Sequence, residues 1–128
     1  MIVAKGVKVC KIRMFKGLFA LITSKKQFQE FIEDNNLSVK EENYICYKGC
    51  CFCVQTDLGP VWVVCLNTNE ISTLVHEVVH LAHSIMNQKG IPINYENTEI
   101  EAYLIERLYE EAAKALKINK TYRKKQKK

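Results

Sequence analysis

No apolar segment of this 128-residue sequence is long enough to cross a membrane, which takes about 18 to 20 apolar residues. The longest apolar runs, at residues 18–22 and 61–66, have the length of buried strands. The first ten residues contain Lys5 and Lys8, which interrupt any hydrophobic region of a secretion signal. We therefore expect a cytoplasmic protein with no membrane partner.

Acidic residues are missing from one end of the chain. Residues 117–128 contain seven Lys and Arg and no Asp or Glu, so the preceding 116 residues carry a net charge of −2 although the whole chain carries +5. This basic segment has one aromatic residue, Tyr122, and no base-reading motif, which favours a solvated end over a nucleic-acid site. We expect a single domain over residues 1–117, a disordered basic tail over residues 118–128, and no nucleic-acid partner.

The sequence also lacks a second Cys-x-x-Cys pair, although it contains six cysteines. Cys50, Cys51 and Cys53 lie in a segment that reads as a strand, where neighbouring side chains point to opposite faces. Cys51 and Cys53 should then share one face and Cys50 should take the other. This separation argues against a cysteine zinc cluster with Cys46, and we expect reduced thiols that pack as small hydrophobic side chains.

The N-terminal half is predicted to form short strands around one helix. Residues 7–14 and 18–23 suggest a hairpin, and residues 44–47, 51–55 and 61–66 are three further strand candidates, with turns at residues 48–49 and 57–60. Between them, Ser24 and Gln27 form a capping-box pattern that begins a helix ending near residue 35.

The C-terminal half is predicted to be helical. A first helix spans residues 71–89 and ends before Gly90, and a second spans residues 98–116. The predicted apolar positions of the first helix are Val75, Val78, Val79, Ala82, Ile85 and Met86. Those of the second helix are Ala102, Ile105, Leu108, Ala112 and Leu116. Strands followed by helices indicate the α+β class.

The first of these helices carries the pattern His-Glu-x-x-His at residues 76–80. Helical residues four apart lie one above the other, so His76 and His80 should face the same point, with Glu77 one step round the helix. Two imidazoles suit one Zn²⁺ ion, which lowers the pKa of a bound water, and Glu77 is then placed to act as general base. At this chain's His and Glu frequencies, about 0.006 such matches arise by chance.

Two histidines leave the zinc ion short of one protein ligand. Glu99 and Glu101 lie near the start of the second helix, and Glu96 is a weaker choice that precedes it. Thr98 and Glu101 match a capping box, which gives Glu101 a structural role and favours Glu99 as the ligand, with Glu101 as the alternative.

His83 lies nearly two helical turns after His76 and therefore shares its face. It could line the cleft, contact substrate or replace the missing ligand. We favour a partly buried neighbour that forms a hydrogen bond.

The motif at residues 71–80, the Gly90-Ile91-Pro92 segment and residues 96–105 together resemble a family of small phage and prophage proteins, the minimal zincins of gluzincin type. The resemblance is close over residues 66–112. It implies a small twisted sheet, antiparallel or mixed, beside an active-site helix and a ligand-bearing helix. In that family the carboxylate ligand opens a Glu-x-x-Ala-Tyr segment, which corresponds here to Glu99, Ala102 and Tyr103. The resemblance implies a phage-encoded zinc metallopeptidase acting in the host cytoplasm, but no particular substrate.

The leading functional hypothesis is thus a zinc-dependent hydrolase that cleaves a peptide or protein. His83, Tyr95 and Tyr103 are the candidates for a group that assists from outside the ligand set or stabilises the oxyanion. The alternative is a zinc-stabilised phage binding or regulatory protein with little or no proteolytic activity. A nucleic-acid-associated protein that uses the basic tail is a third hypothesis.

Overall fold

The computed structural model describes residues 7–37, 48–56 and 59–118. Within these ranges the chain is α+β, as predicted. In chain order the elements are β1 (Lys8–Lys11), β2 (Leu18–Ile22), α1 (Lys25–Asp34), β3 (Gly49–Thr56), β4 (Gly59–Leu66), α2 (Ile71–Gln88), a short 3-10 helix (Tyr95–Asn97) and α3 (Thr98–Leu116). The strand predicted at residues 44–47, Cys46 and the tail beyond residue 118 lie outside the described residues.

The four described strands form one mixed sheet in the order β1-β2-β4-β3. The predicted hairpin is confirmed, because β1 pairs antiparallel with β2. β2 runs parallel to β4, and β3 runs antiparallel to β4. Every residue from Val61 to Leu66 of β4 is buried, which is typical of a central strand covered on both faces. The predicted turns were too long, since Gly49 opens β3 and Gly59 opens β4.

Helices cover both faces of this sheet. Alternation along β4 sends Val63 and Cys65 to the face that packs against Phe28 and Phe31 of α1. Trp62, one step away, belongs to the opposite face. That second face packs against α2 and α3 through Leu81, Ile85, Leu104 and Leu108. The indole N–H of Trp62 donates a hydrogen bond to Ser84 Oγ at 2.9 Å, so this buried polar group is satisfied.

Helix α1 begins where the sequence predicts. Ser24 is the N-cap, and its Oγ accepts a hydrogen bond from the backbone N–H of Gln27 at 3.1 Å. The Gln27 side chain reaches one residue further back than a standard capping box requires. Its Oε1 accepts a hydrogen bond from the Thr23 backbone N–H at 2.9 Å. The cap therefore ties the end of β2 to the start of α1.

Helix α2 has the predicted extent, and Gly90 ends it in the left-handed region with φ +72°. Its buried face differs from the predicted one, because Val75 is 42% exposed. The residues of α2 that are buried are Thr73, Leu74, Glu77, Val78, Leu81, Ala82, Ile85 and Met86. This rotation of the buried face brings Glu77 inward. No helix within the described ranges is long and apolar enough to cross a membrane.

Helix α3 also has the predicted extent, but the predicted capping box of Thr98 and Glu101 is wrong. The N-cap is Asn97, whose side chain caps nothing, because the 3-10 helix leads directly into α3. Thr98 Oγ1 instead donates to the carbonyl oxygen of Tyr95. The buried residues of α3 are Leu104, Leu108, Ala112 and Ala113, so Ala102, which is exposed, was wrongly placed in the core.

The packed core includes Ile118, the last residue that the structure describes. Lys117 ends α3 with a left-handed φ of +61°, and the Ile118 backbone N–H donates to the Ala113 carbonyl oxygen. The Ile118 side chain is partly buried against the core, although the sequence assigns it to the tail.

Candidate metal centre

The two motif histidines converge at the exposed side of α2. The Nε2 atoms of His76 and His80 lie 3.1 Å apart, and their ring centroids lie 4.7 Å apart with the planes inclined by 73°. Four-residue spacing on a helix accounts for the shared side, and the ring rotations bring both Nε2 atoms to one point. Both side chains are exposed, so the point where they meet is open to solvent.

This separation of the nitrogens suits a tetrahedral zinc ion. Two nitrogens that each lie about 2.05 Å from a tetrahedral centre are about 3.3 Å apart. The observed 3.1 Å between the Nε2 atoms is close to that value. The same distance also fits a hydrogen bond in which the N–H of one imidazole donates to the Nε2 of the other. The geometry of the pair is therefore compatible both with a hydrogen bond between the rings and with a shared metal ion.

Glu77 lies on the inner side of the same helix. It is 5% exposed, and burial raises the pKa of its carboxyl, while the neighbouring His76 and His80 partly offset that increase. A methyl group built at Gly49 would meet Glu77 Cγ at 2.9 Å and Oε2 at 3.0 Å. The start of β3 is therefore pressed against the carboxylate, and a glycine is what allows that approach.

A cleft of about 370 Å³ opens beside these residues. His76 and Glu77 line one side of it, and Lys48 and Gly49 at the start of β3 line another. At its rim, Lys48 Nζ lies 3.7 Å from a carboxylate oxygen of Glu70, an exposed ion pair. The volume lies in the range of small-molecule and peptide-side-chain pockets, and a histidine and a buried carboxylate face the same space.

His83 bonds to Glu101 across the interface of α2 and α3. His83 Nε2 lies 2.5 Å from Glu101 Oε2, with side-chain exposures of 35% and 26%. A short contact between an imidazole and a carboxylate is charge-assisted when the ring is protonated. The prediction that His83 is a partly buried, hydrogen-bonded neighbour is confirmed, and Glu101 is its partner rather than a helix cap.

The other candidate ligands and the candidate oxyanion tyrosines are more exposed to solvent than Glu77. Glu96 and Glu99 are exposed, Tyr95 is 91% exposed, and Tyr103 is 51% exposed. Neither tyrosine is among the residues that line the cleft. Within the described part of the chain, no three His, Cys, Asp or Glu side chains are gathered closely enough to hold a metal ion. The third ligand therefore stays a prediction.

Sequence reasoning missed the wall of the cleft opposite the helix. Lys48 and Gly49 were predicted to form only a turn, and nothing in their local sequence indicates contact with the motif. Thr73 was missed as well: it is 7% exposed, lines the cleft, and shares a hydrogen bond of 2.9 Å with the Thr68 hydroxyl. Only its position one turn before Glu77 could have suggested this place.

The three cysteines of β3 occupy the faces predicted for them. Cys51 and Cys53 pack on the side of the sheet covered by α2 and α3, and Cys50 packs on the side covered by α1. Cys10 and Cys65 are buried, which confirms for these two the prediction of hydrophobic packing.

No family model matches the chain, and neither a curated protein nor a solved structure does so.

Proposed function

We propose that this protein is a zinc-dependent hydrolase that acts on peptide bonds, with Glu77 as the general base. One observation carries the proposal. The Nε2 atoms of His76 and His80 lie 3.1 Å apart, and His76 lines a cleft of about 370 Å³ together with the buried Glu77. Burying a carboxylate destabilises the fold. A buried glutamate next to His76 is therefore easier to explain if it takes part in the reaction than if the two histidines are surface residues without a function.

The zinc ion would be held by His76, His80 and a carboxylate from the first turn of α3. The sequence favours Glu99, but the contacts support Glu101. Glu101 already reaches α2 at His83, which lies one turn after His80. Residues two apart on a helix point to different sides, so Glu99 projects away from the side that Glu101 uses. A carboxylate has two oxygens, and the hydrogen bond of Oε2 to His83 would orient the other oxygen, as is usual for carboxylate ligands.

When bound, the zinc ion would polarise the scissile carbonyl and lower the pKa of water at the site. Glu77 supplies the proton transfer. Burial raises the pKa of its carboxyl, so Glu77 is a better proton acceptor than an ordinary surface glutamate. Its carboxylate would take the proton from the attacking water and return it to the amine that leaves.

The cleft's second wall supports a peptide as substrate. β3 has one neighbour, β4, among the described strands, and within the described ranges no strand pairs with its other edge, which is the kind of edge that an extended peptide can join. β3 begins at Gly49, directly against Glu77. A peptide aligned along that edge would bring its backbone past the carboxylate. The resemblance to phage and prophage minimal zincins agrees with this proposal.

The test combines metal content with turnover. We expect about one zinc per purified chain and its loss in His76→Ala and His80→Ala. Glu77→Gln should retain zinc and lower peptide cleavage by about 10² to 10⁴-fold, since the general base is removed. Glu106→Gln, an exposed change on α3, is the matched control and should alter neither quantity.

Two further variants identify the third ligand. If Glu101 is the ligand, Glu101→Ala loses zinc and Glu99→Ala retains it, and the opposite result assigns Glu99. Zinc that binds with no cleavage of any peptide in a library would support the alternative, a zinc-stabilised binding or regulatory protein. A chain that binds no zinc when supplied with it would overturn both.

A further inference from the structure

We propose that Cys50 and Cys65 form an oxidation site, in which a hydroperoxide converts the two thiols into a disulfide that links β3 to β4. The site lies on the α1 side of the sheet. It uses none of the residues assigned to zinc or to catalysis, so it does not depend on the proposed hydrolase.

The strand register places the two cysteines directly opposite each other. Cys50 of β3 and Cys65 of β4 are partners in the antiparallel ladder. The Asn67 backbone N–H donates to the Lys48 carbonyl oxygen at 2.7 Å, which marks that pair as hydrogen-bonded. Because such pairs alternate, Cys50 and Cys65 are hydrogen-bonded too, with Cα atoms about 5.5 Å apart. Disulfides form at Cα separations of about 4.4 to 6.8 Å.

The two thiols are unequal, as an attacking and a resolving cysteine should be. Cys65 is fully buried, whereas Cys50 is partly exposed. A hydrogen bond from the Cys65 thiol lowers the pKa of Cys50, although burial and the Glu77 carboxylate oppose it. The same hydrogen bond, together with burial, raises the pKa of Cys65. Cys50 is therefore the thiol of this pair that ionises more readily and the one that a peroxide can reach.

The reaction has two balanced steps. The Cys50 thiolate attacks a peroxide oxygen, the O–O bond breaks, and Cys50 becomes a sulfenic acid while hydroxide leaves. The Cys65 sulfur then attacks the sulfenic sulfur, the S–S bond forms, and the Cys65 proton leaves with the hydroxyl group as water. The two thiols lose two electrons, and the peroxide gains them.

The neighbouring cysteines are not alternatives for this partnership. Cys51 and Cys53 point to the opposite side of the sheet. Burial, with smaller contributions from the Glu77 charge and the adjacent thiols, raises the pKa of Cys51 to about 12. Relative to an ordinary thiol, that shift lowers its thiolate population about a thousandfold at neutral pH.

The test uses the full chain, reduced and freed of metal by a chelator, and then exposed to hydrogen peroxide. Trypsin leaves four cysteines in residues 49–89, so a second protease that cuts before Asp57 is needed to separate Cys50 from Cys65. Mass spectrometry should detect residues 49–56 joined to the segment that contains Cys65, and reductant should release them. Cys51→Ser with Cys53→Ser is the matched control and should retain the link.

Cys50→Ser should abolish the link. Cys65→Ser should abolish it too and leave a sulfenic acid at Cys50 that a dimedone probe labels, so the proposal stays testable if one variant folds poorly. A disulfide that joins Cys65 to Cys51 or Cys53 would overturn the proposal. So would a folded wild-type chain in which hydrogen peroxide does not oxidise Cys50.

Discussion

Replacing Gly49 by alanine tests whether the start of β3 holds the Glu77 carboxylate in place. The added methyl group would lie 2.9 Å from the Cys65 carbonyl oxygen, 2.9 Å from Glu77 Cγ and 3.0 Å from Glu77 Oε2. Ordinary contacts of a methyl carbon are about 3.5 to 4.0 Å. The carbonyl belongs to the central strand β4, so we expect the start of β3 and the Glu77 side chain to shift.

The expected cost follows from two opposing effects. An extra methyl group in a packed site costs about 1 to 3 kcal/mol. Against this, alanine restricts the unfolded chain and stabilises by about 0.4 to 1 kcal/mol. We therefore expect Gly49→Ala to lower the free energy of unfolding by about 0.5 to 2 kcal/mol. If cleavage is detected, it should fall about a hundredfold, because the base is displaced by up to an ångström.

A double-mutant cycle separates the Glu77 contact from the rest. In Glu77→Ala, two of the three close contacts are gone and only the Cys65 carbonyl oxygen remains. The cost of Gly49→Ala should then shrink by about 1 kcal/mol, within the usual range for residues in contact. Urea unfolding of the metal-free chain, followed by circular dichroism, measures the free energy of unfolding of the wild-type chain, both single variants and the double variant.

Gly59→Ala is the matched control for this cycle. Apart from its chain neighbours, its added methyl would meet no atom of the described residues within 4 Å, and its expected cost comes from the φ of +112°. That cost should be the same with and without Glu77. If Gly49→Ala costs the same in both backgrounds, or stabilises the wild-type chain, then Gly49 does not position the carboxylate.

Three further predictions concern the frame around the site. Ser84→Ala leaves the Trp62 indole N–H unpaired in the core and should lower the free energy of unfolding in urea by about 1 to 3 kcal/mol. The fluorescence emission of Trp62, the sole tryptophan, should shift as well. Unchanged stability would mean that a water molecule replaces the Ser84 hydroxyl. Ser24→Ala removes the hydrogen bond to the Gln27 backbone N–H and should cost about 1 kcal/mol, whereas Ser24→Asp should restore most of it. Burial raises the pKa of Cys51 from 9.0 to about 12, so between these pH values the folded state keeps a proton that the unfolded state loses. The free energy of unfolding should therefore fall as the pH rises from 9.0 to about 12, and it should fall less steeply in Cys51→Ser.

Local signals predicted the elements, and long-range contacts decided how they meet. The hairpin, the Ser24 cap and the extents of α2 and α3 follow from periodicity and caps, which depend only on near neighbours. The capping box at Thr98 failed because the 3-10 helix leads directly into α3 and satisfies that end another way. Val75 was predicted to be buried because it is an apolar residue at helical spacing. In the structure α2 turns a different face to the core, so Glu77 is buried and Val75 is exposed.

The sequence alone determined that two histidines four residues apart lie on one side of a helix, since helical geometry depends on nothing outside the segment. It did not determine what stands opposite them. The tertiary structure set Gly49 against the Glu77 carboxylate and joined His83 to Glu101, and it placed Cys50 across from Cys65. Each of these pairs joins residues of two different elements. Their meeting depends on the strand register and on how α2 packs against β3 and α3, which the pattern within one element does not encode.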